Sequence, residues 1–269
     1  MTREKKLWIL FLLLVSVYVV LGFDPRLETT YYDYTSEKIP EIFDGFRIVQ
    51  ISDFHLKKFG KKGEKLVKAV VDCRPDVIVL TGDIVDEDHD DLAPLEELLR
   101  GISGEASVYY VSGNHDLEPA AARQYEKMQE LFQSYEVTDL DDKQEMITMG
   151  RSKICLTGSK WRSGYFSDYL QIADTEYFNI LLYHGSDFFE RLAEFGYDLI
   201  LAGHIHGGIV RLPFAGGVFG NDGSWFPEYD AGCFTKGSCR MISSRGLGDA
   251  KIPRFYNRPE LVCIELHSK

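Results

Sequence analysis

Short apolar runs alternate with helix-like stretches along most of the chain. Runs rich in Val, Ile, Leu and Tyr, each bounded by turn residues, predict buried strands at 47–52, 77–81, 108–112, 177–183 and 199–202. The stretches between them predict helices at 62–72, 92–100, 119–134 and 186–195. In the first of these, apolar residues recur at helical spacing. The alternation favours an α/β layered fold.

The C-terminal third is rich in Gly and aromatic residues and predicts mostly antiparallel strands at 209–212, 232–235, 239–243 and 261–266. Cys233 and Cys239 flank a turn in this region. A two-residue turn at Lys236 and Gly237 would place the two cysteines on opposite faces, whereas a three-residue loop at 235–237 would place them opposite one another. A disulfide therefore depends on the loop length, which stays open here.

The first residues have a different pattern. An almost unbroken apolar run at 7–23 approaches the length of a membrane span, since a helix rises about 1.5 Å per residue and the hydrocarbon core is about 30 Å thick. Large residues follow where a cleavage site needs small ones, which favours a transmembrane signal-anchor over a cleaved signal and secretion. Basic residues within 1–6 predict a cytoplasmic n-region and an extracytoplasmic catalytic domain. We interpret 24–45 as a polar, irregular tether and entry segment, and 46–269 as one catalytic domain.

Composition narrows the classes of function. A formal net charge of -12 argues against a nucleic-acid-binding surface, because that mode of binding needs clustered Lys and Arg. A phosphorylated substrate would need bound cations to offset this charge. Five cysteines without a C-x-x-C motif indicate neither a zinc finger nor a complete disulfide framework.

Polar side chains follow the predicted strands at the point where each strand ends. These clusters contain five of the seven histidines, and they are Asp53 with His55, Asp83, Asn114 with His115, His184, and His204 with His206. Ligands of open α/β sheets bind beyond the carboxyl ends of strands. Asp, His and Asn together suit a centre of two divalent ions with one bridging carboxylate. The clusters therefore predict one metal centre built from distant segments.

The order of these motifs resembles the calcineurin-like metallophosphoesterase family, and within it the membrane-anchored or exported bacterial branch. The motifs are Ser-Asp-Phe-His at 52–55, Thr-Gly-Asp at 81–83, Gly-Asn-His-Asp at 113–116, His184, and Gly-His-Ile-His at 203–206. The resemblance implies a four-layer α/β/β/α sandwich of mixed β-sheets, with a dinuclear metal site at the C-terminal ends of strands. It also implies a phosphoesterase that hydrolyses phosphodiester or pyrophosphate bonds by attack of a metal-bound hydroxide.

The same resemblance implies a role for each matching residue. Asp53, His55 and His206 would hold one ion, Asn114, His184 and His204 the other, and Asp83 would bridge them. His115 would contact the phosphate and protonate the leaving oxygen, with Asp116 orienting its imidazole. These ligands suit manganese, iron, zinc and cobalt, among which we expect manganese.

Other features leave alternatives open. The anchor favours a lipid-linked or cell-envelope substrate, with a soluble phosphodiester or phosphomonoester as the rival and an inactive metal- or phosphate-binding protein as a third reading. Arg245 is expected either to contact a substrate phosphate or to form an ion pair with an acidic neighbour, and the sequence favours neither. The aromatic set Trp161, Tyr165, Phe166 and Tyr169 lines either a substrate entrance or a packed cluster. The acidic run at 86–91 is interpreted as a solvated loop.

Overall fold

The computed structural model describes residues 2–166, 168–221, 223–249 and 252–269. Within these ranges the α-helices are α1 (Arg3–Gly22), α2 (Glu64–Asp72), α3 (Ala93–Ile102), α4 (Ala122–Ser134) and α5 (Phe189–Leu192). The strands are β1 (Glu28–Ser36), β2 (Phe46–Ile51), β3 (Val77–Thr81), β4 (Ser107–Val111), β5 (Thr138–Asp139), β6 (Gln144–Met149), β7 (Ser152–Gly158), β8 (Phe178–Gly185), β9 (Leu199–Gly203), β10 (Val210–Leu212), β11 (Gly216–Phe219), β12 (Gly232–Lys236), β13 (Cys239–Ser243) and β14 (Glu260–Ser268).

Two six-stranded mixed sheets form the centre of the domain. The first has the strand order β1-β14-β2-β3-β4-β5, and the second has the order β12-β13-β9-β8-β7-β6. In the first sheet β2 to β5 run parallel and β14 runs antiparallel to β2. In the second sheet β7, β8, β9 and β13 run parallel. Strands of both sheets therefore end at a common side.

Three hydrophobic clusters divide the domain into four layers. One cluster packs α2, α3 and α4 on the outer face of the first sheet, where Leu66 and Val70 of α2 meet Ile78 of β3. A second lies between the sheets, and a third packs α5 on the outer face of the second sheet. The α/β/β/α sandwich of mixed sheets is thus confirmed. Because β3 is covered on both faces, all five of its residues are buried and read as a continuous apolar run.

Residues 24–45 differ from the irregular tether that we expected. Residues 28–36 form β1, which pairs in parallel with β14 over its whole length, from Glu28 opposite Glu260 to Ser36 opposite Ser268. β1 is an edge strand with mostly half-exposed residues, so it lacks an apolar run. Its Thr and Tyr residues favour a strand nonetheless.

The register of the β12–β13 hairpin decides whether Cys233 and Cys239 can form a disulfide. Its two-residue turn lies at Gly237 and Ser238, one position later than predicted, so that Lys236 pairs with Cys239 and Cys233 pairs with Ile242. Cys233 and Cys239 are therefore on opposite faces, the first exposed and the second buried, and both thiols are free. The expectation of mostly antiparallel C-terminal strands is wrong for β13 against β9 and for β14 against β1, which are parallel.

The apolar segment forms the helix α1. Among the described residues, α1 is the one helix that is long enough and apolar enough to cross a membrane. Only 6% of its most apolar 18-residue stretch is buried. The domain contacts it near its C-terminal end, where the Tyr256 amide donates to the carbonyl oxygen of Gly22 over 2.6 Å. The Tyr256 hydroxyl donates to the carbonyl oxygen of Tyr18 over 2.8 Å.

Candidate metal centre

The predicted ligands all lie at the carboxyl ends of central strands. Asp53 and His55 follow β2, Asp83 follows β3, and Asn114 follows β4, all in the first sheet. His184 lies near the end of β8, and His204 and His206 follow β9, in the second sheet. The two sheets therefore present these side chains to the same space.

The backbone that carries these side chains is strained. Among the ligands, Asp53, His55, Asp83, His204 and His206 have φ values of 50°, 45°, 52°, 77° and 51°. This left-handed region costs a non-glycine residue roughly 1–3 kcal/mol and is concentrated at functional sites. Such strain persists only where the surrounding structure holds it, which indicates that the ligand positions are under functional constraint.

Two glycines allow the strand ends to approach one another. A Cβ atom on Gly82, which has a φ of 86°, would lie 2.6 Å from Nδ1 of His184. A Cβ atom on Gly113 would overlap the carboxylate of Asp83. Gly82 therefore provides a turn, whereas Gly113 is required by close packing.

Two groups of ligand atoms share one carboxylate. Asp53, His55, Asp83 and His206 form the first group and Asp83, His184 and His204 the second, with the ligand atoms of each group within 4.8 Å of one another. Nε2 of His184 is 3.0 Å from Oδ2 of Asp83, and Nε2 of His206 is 3.3 Å from Oδ1 of Asp53. Because Asp83 belongs to both groups, its carboxylate is placed to bridge two ions.

The unpartnered atoms of the site fit this interpretation. The following buried atoms have no hydrogen bond of acceptable geometry within the described ranges: Nε2 of His55, Oδ2 of Asp83, Oδ1 of Asn114, Nε2 of His184 and Nε2 of His206. A buried polar atom that has neither a hydrogen bond nor a bound ion lowers the stability of the folded state by roughly 1–3 kcal/mol. All are nitrogen or oxygen donors of the kind that bind Mn, Fe, Zn or Co. The residues therefore fit two divalent ions.

Neighbouring groups orient the histidine ligands. Nδ1 of His184 donates to the carbonyl oxygen of Thr81 over 2.8 Å, which directs its Nε2 atom into the site. Nδ1 of His55 lies 3.1 Å from Oδ2 of Asp86. Burial opposes ionisation of Asp86, but its hydrogen bonds with His55 and His89 lower its pKa to about 2. In both His184 and His55, Nδ1 is therefore held by a neighbouring oxygen, and Nε2 faces the metal centre.

Sequence reasoning missed Asp86 and Arg254 as supporting residues. Asp86 belongs to the acidic run at 86–91, which we interpreted as a solvated loop, but its side chain is buried against His55. Nη2 of Arg254 lies 3.1 Å from Nδ1 of His206, and burial lowers the pKa of Arg254 to about 10. Burial and the Arg254 charge hold the pKa of His206 well below its usual value. Arg254 lies in an irregular segment without a motif, so no pattern indicated it.

The carboxylates of the centre have opposite pKa shifts. Burial raises the pKa of Asp53. Burial also opposes ionisation of Asp83, but the nearby charge of His184 brings the pKa of Asp83 below its usual value. In return, although burial alone would lower it, the charge of Asp83 raises the pKa of His184 to about 10. The centre attracts positive charge, as a cation site requires.

His115 lies beside the ligands and has a different partner from the one we expected. Its backbone amide donates to Oδ1 of Asp83 over 2.8 Å, and its ring is 5.1 Å from that of His55. Its Nδ1 is 3.0 Å from Oε2 of Glu87. Glu87 therefore orients the imidazole, and this hydrogen bond lowers the pKa of Glu87.

Asp116 supports the backbone of the site. Its carboxylate accepts hydrogen bonds of 2.8–2.9 Å from the amides of Asp83, Ile84, Val85 and Gly113 and from the hydroxyl of Tyr110. The expectation that Asp116 orients His115 is wrong, since these five donors occupy both oxygens. Asp116 instead fixes the turn that carries Asp83.

The alternatives for Arg245 and the aromatic set are also decided. Nη2 of Arg245 is 2.9 Å from carboxylate oxygens of both Glu28 and Glu260, so Arg245 pairs with acidic neighbours. Phe166 is buried in the outer cluster of the second sheet. The Trp161 ring lies 5.4 Å from that of His184 and 4.8 Å from that of His204, at the metal centre. The aromatic set is therefore divided, with Tyr165 and Tyr169 exposed.

An opening of about 220 Å³ gives access to the centre, and His55, Asp86, His115, Asn221 and Asp249 are among its lining residues. His115 lies on this opening beside the ligand His55. The opening therefore exposes the ligand His55 and the His115 imidazole side by side.

Two mixed sheets bring Asp, His and Asn side chains to one edge, which is the arrangement that the resemblance to metallophosphoesterases implied. The chain belongs to the calcineurin-like phosphoesterase family, whose model matches residues 46–208. The members of this family are metal-dependent hydrolases of phosphate esters, so the chain is identified as a hydrolase.

Its relatives include bacterial proteins that match most of its length. It is 30% identical over 256 residues to "Uncharacterized metallophosphoesterase YkuE" of Bacillus subtilis (strain 168), covering 90% of this chain and 86% of that protein. It is 26% identical over 226 residues to "Phosphodiesterase YaeI" of Escherichia coli (strain K12), covering 82% of each. The solved structure of TT1561 from Thermus thermophilus is 15% identical, with a TM-score of 0.43 over 76% of this chain and 89% of that one.

Proposed function

We propose that this protein is a membrane-anchored, dinuclear metal-dependent hydrolase of phosphodiester or pyrophosphate bonds, with a lipid-linked or cell-envelope substrate. The observation that carries the proposal is the carboxylate of Asp83, which both groups of ligand atoms share. The printed name of the Escherichia coli relative, a phosphodiesterase, supports phosphodiester hydrolysis.

In this proposal Asp53, His55 and His206 hold one ion, and Asn114, His184 and His204 hold the second, with Asp83 between them. The ions, when bound, would supply positive charge to the phosphoryl oxygens and lower the pKa of an attacking water. Manganese is the metal that we expect first, and the same ligand types accept iron, zinc or cobalt.

The chain's own residues supply positioning and a proton. Because Glu87 holds Nδ1 of His115, the opposite nitrogen faces the site, and in the imidazolium form of the ring it donates a proton to the leaving oxygen. Asp116 keeps the Asp83 turn in place through its bonds to backbone amides. An attacking water needs no protein nucleophile, so we expect no covalent intermediate on the chain.

The anchor connects this chemistry to a membrane. α1 has the length and composition of a span, and a relative from Danio rerio named "Transmembrane protein with metallophosphoesterase domain" is 29% identical over 116 residues, 42% of this chain and 26% of that protein. In this proposal residues 1–6 are cytoplasmic and the catalytic domain is extracytoplasmic. Secretion after cleavage of the segment is the alternative, which intact-mass measurement of the mature protein would distinguish.

The direct test is a hydrolysis panel on the full chain in detergent, after chelation and after addition of Mn²⁺, Fe²⁺, Zn²⁺ or Co²⁺. We expect hydrolysis of bis(4-nitrophenyl) phosphate to be lost on chelation, to return with metal, and to be abolished in Asp83→Asn. Activity that persists in the stripped protein would contradict the proposal. Adding 4-nitrophenyl phosphate and an isoprenyl pyrophosphate separates monoester, diester and lipid pyrophosphate hydrolysis.

An inactive metal-binding protein is the second candidate. It predicts tight metal binding by elemental analysis without turnover of any phosphate in the panel. The intact position of His115 on the opening favours the enzyme.

A further inference from the structure

A second cavity lies between the end of α1 and the metal centre. It has a volume of about 350 Å³, and we call it the anchor-side cavity. Phe23, Pro25 and Ile252 contribute apolar surface to it, and Lys57, Asp249 and Arg254 contribute charged groups. Its volume falls within the range of roughly 300–1,000 Å³ that is usual for ligand pockets. The cavity therefore has the size and mixed lining of a site for an amphiphile.

The charged residues of the anchor-side cavity connect it to the metal centre. Asp249 also lines the opening over the centre, together with His55 and His115. Arg254 contacts Nδ1 of the ligand His206. Lys57 forms an ion pair with Asp249. Asp249 and Arg254 thus place the cavity next to the metal centre.

The apolar residues of the same cavity connect it to α1. Phe23 follows the last residue of α1 directly, and its ring centroid lies 5.1 Å from that of Phe255. Phe255 also packs against Tyr18 of α1, with 6.1 Å between the ring centroids. Gly22 allows this contact, because a Cβ atom there would lie 2.6 Å from Cζ of Phe255. The cavity is therefore held against the end of the anchor.

We propose that the anchor-side cavity binds the hydrocarbon part of a phosphate ester that enters from the bilayer. Its phosphate would lie at the metal centre while its chain passes Ile252 and Phe23 toward α1. This inference rests on the proposed function, because it places the reacting phosphate at the metal ligands. The apolar surface begins where the apolar helix ends, so a bilayer lipid would not need to leave an apolar environment completely.

Calorimetric titration of the metal-loaded full chain in lipid nanodiscs with ethyl phosphate and hexyl phosphate tests this binding. Burial of each methylene contributes roughly 0.8 kcal/mol, so even partial burial of the four additional methylenes should make hexyl phosphate bind at least tenfold more tightly. Ile252→Asp introduces a charge into the cavity and should reduce this difference to less than threefold, because the charge opposes burial of the longer chain. Ile172→Asp, at another exposed isoleucine outside the cavity, is the matched control and should retain the tenfold difference.

Equal binding of the two phosphates, or a difference that survives in Ile252→Asp, would overturn the inference. So would an equal loss in Ile172→Asp. Because the readout is binding, it is independent of turnover: a chain-length effect without any hydrolysis would overturn the proposed function and leave the cavity assignment standing.

A competition experiment distinguishes a bilayer lipid from a free amphiphile. Dioleoyl phosphatidic acid is placed either in the bilayer that contains the protein or in separate vesicles, and binding of hexyl phosphate is measured again. We expect competition from the shared bilayer and none from separate vesicles. Absence of competition in both arms would overturn entry from the bilayer.

Discussion

Replacement of Asp116 by Asn changes a buried carboxylate without changing its size. One oxygen of Asp116 accepts from the amides of Ile84 and Val85, and the other accepts from the amides of Asp83 and Gly113 and from the Tyr110 hydroxyl. An asparagine side chain has only one acceptor atom. In either orientation its NH₂ group therefore faces at least two backbone donors that cannot accept.

The expected cost follows from these contacts. Two unsatisfied buried donors cost roughly 1–3 kcal/mol each, or about 2–6 kcal/mol together. The lost charge acts in the opposite direction, because burial and the neighbouring Asp83 raise the pKa of Asp116. We expect a net loss of at least about 2 kcal/mol in the free energy of unfolding. This loss corresponds to a fall of at least about 4 °C in melting temperature for a domain of this size.

Thermal unfolding of the chelated protein at pH 7, followed by circular dichroism, measures this loss without a contribution from metal binding. Asp141→Asn is the matched control. Asp141 accepts from the amide and from the hydroxyl of Ser112, and a hydroxyl can reverse to accept from an asparagine NH₂ group. We therefore expect no loss of stability in the control. A melting temperature of Asp116→Asn within about 2 °C of the wild type, or equal to that of the control, would refute the reasoning.

Three further expectations concern activity, metal affinity and pH. Glu87→Gln should lower kcat for bis(4-nitrophenyl) phosphate by about tenfold or more with unchanged metal content, because it weakens the hydrogen bond to His115; an unchanged kcat would exclude this role. Asp86→Ala should weaken metal binding by roughly 10- to 100-fold in metal titrations, because it removes the carboxylate that holds Nδ1 of the ligand His55. Burial raises the pKa of Asp141 to about 6, so the folded state binds the proton more tightly than the unfolded state and loses stability as pH rises from about 4 to 6. The melting temperature of Asp141→Asn relative to the wild type should therefore rise across this window, and a difference independent of pH would contradict the assignment.

The sequence predicts the ligands and most central strands for the same physical reason, although the interior strand β7 was not predicted. β2, β3, β4, β8 and β9 are largely buried on both faces, so each is a short, mostly apolar run that ends in a polar cluster. The strands at the edges of the sheets are harder to predict from the sequence. β1 and β6 are mostly half-exposed and contain few consecutive apolar residues, so the first was interpreted as a tether and the second was not predicted. An edge strand is specified largely by the partner that it pairs with.

The supporting residues of the centre could not be read from motifs because their roles depend on geometry between segments. Within one short acidic run, Asp86 contacts His55 and Glu87 contacts His115, yet sequence composition alone indicates a solvated loop. Asp116 adjoins His115 in sequence, but the left-handed turn at Asp83 brings backbone amides to its carboxylate. Neighbours in sequence are therefore a poor guide to which carboxylate orients which imidazole.

The same geometry explains why the centre tolerates strain. Left-handed backbone at Asp53, Asp83 and His206 directs these side chains into one space, at a cost that the local segments alone would not sustain. Bonds from other segments hold these turns, with Asp116 accepting from the amide of Asp83 and the His204 amide donating to Asp53 over 3.1 Å. Because each strained turn is fixed by a residue from a different strand end, the ligand arrangement depends on both sheets being correctly packed. The metal centre is thus a property of the whole sandwich, and substitutions in its backbone supports should affect folding stability and metal affinity together.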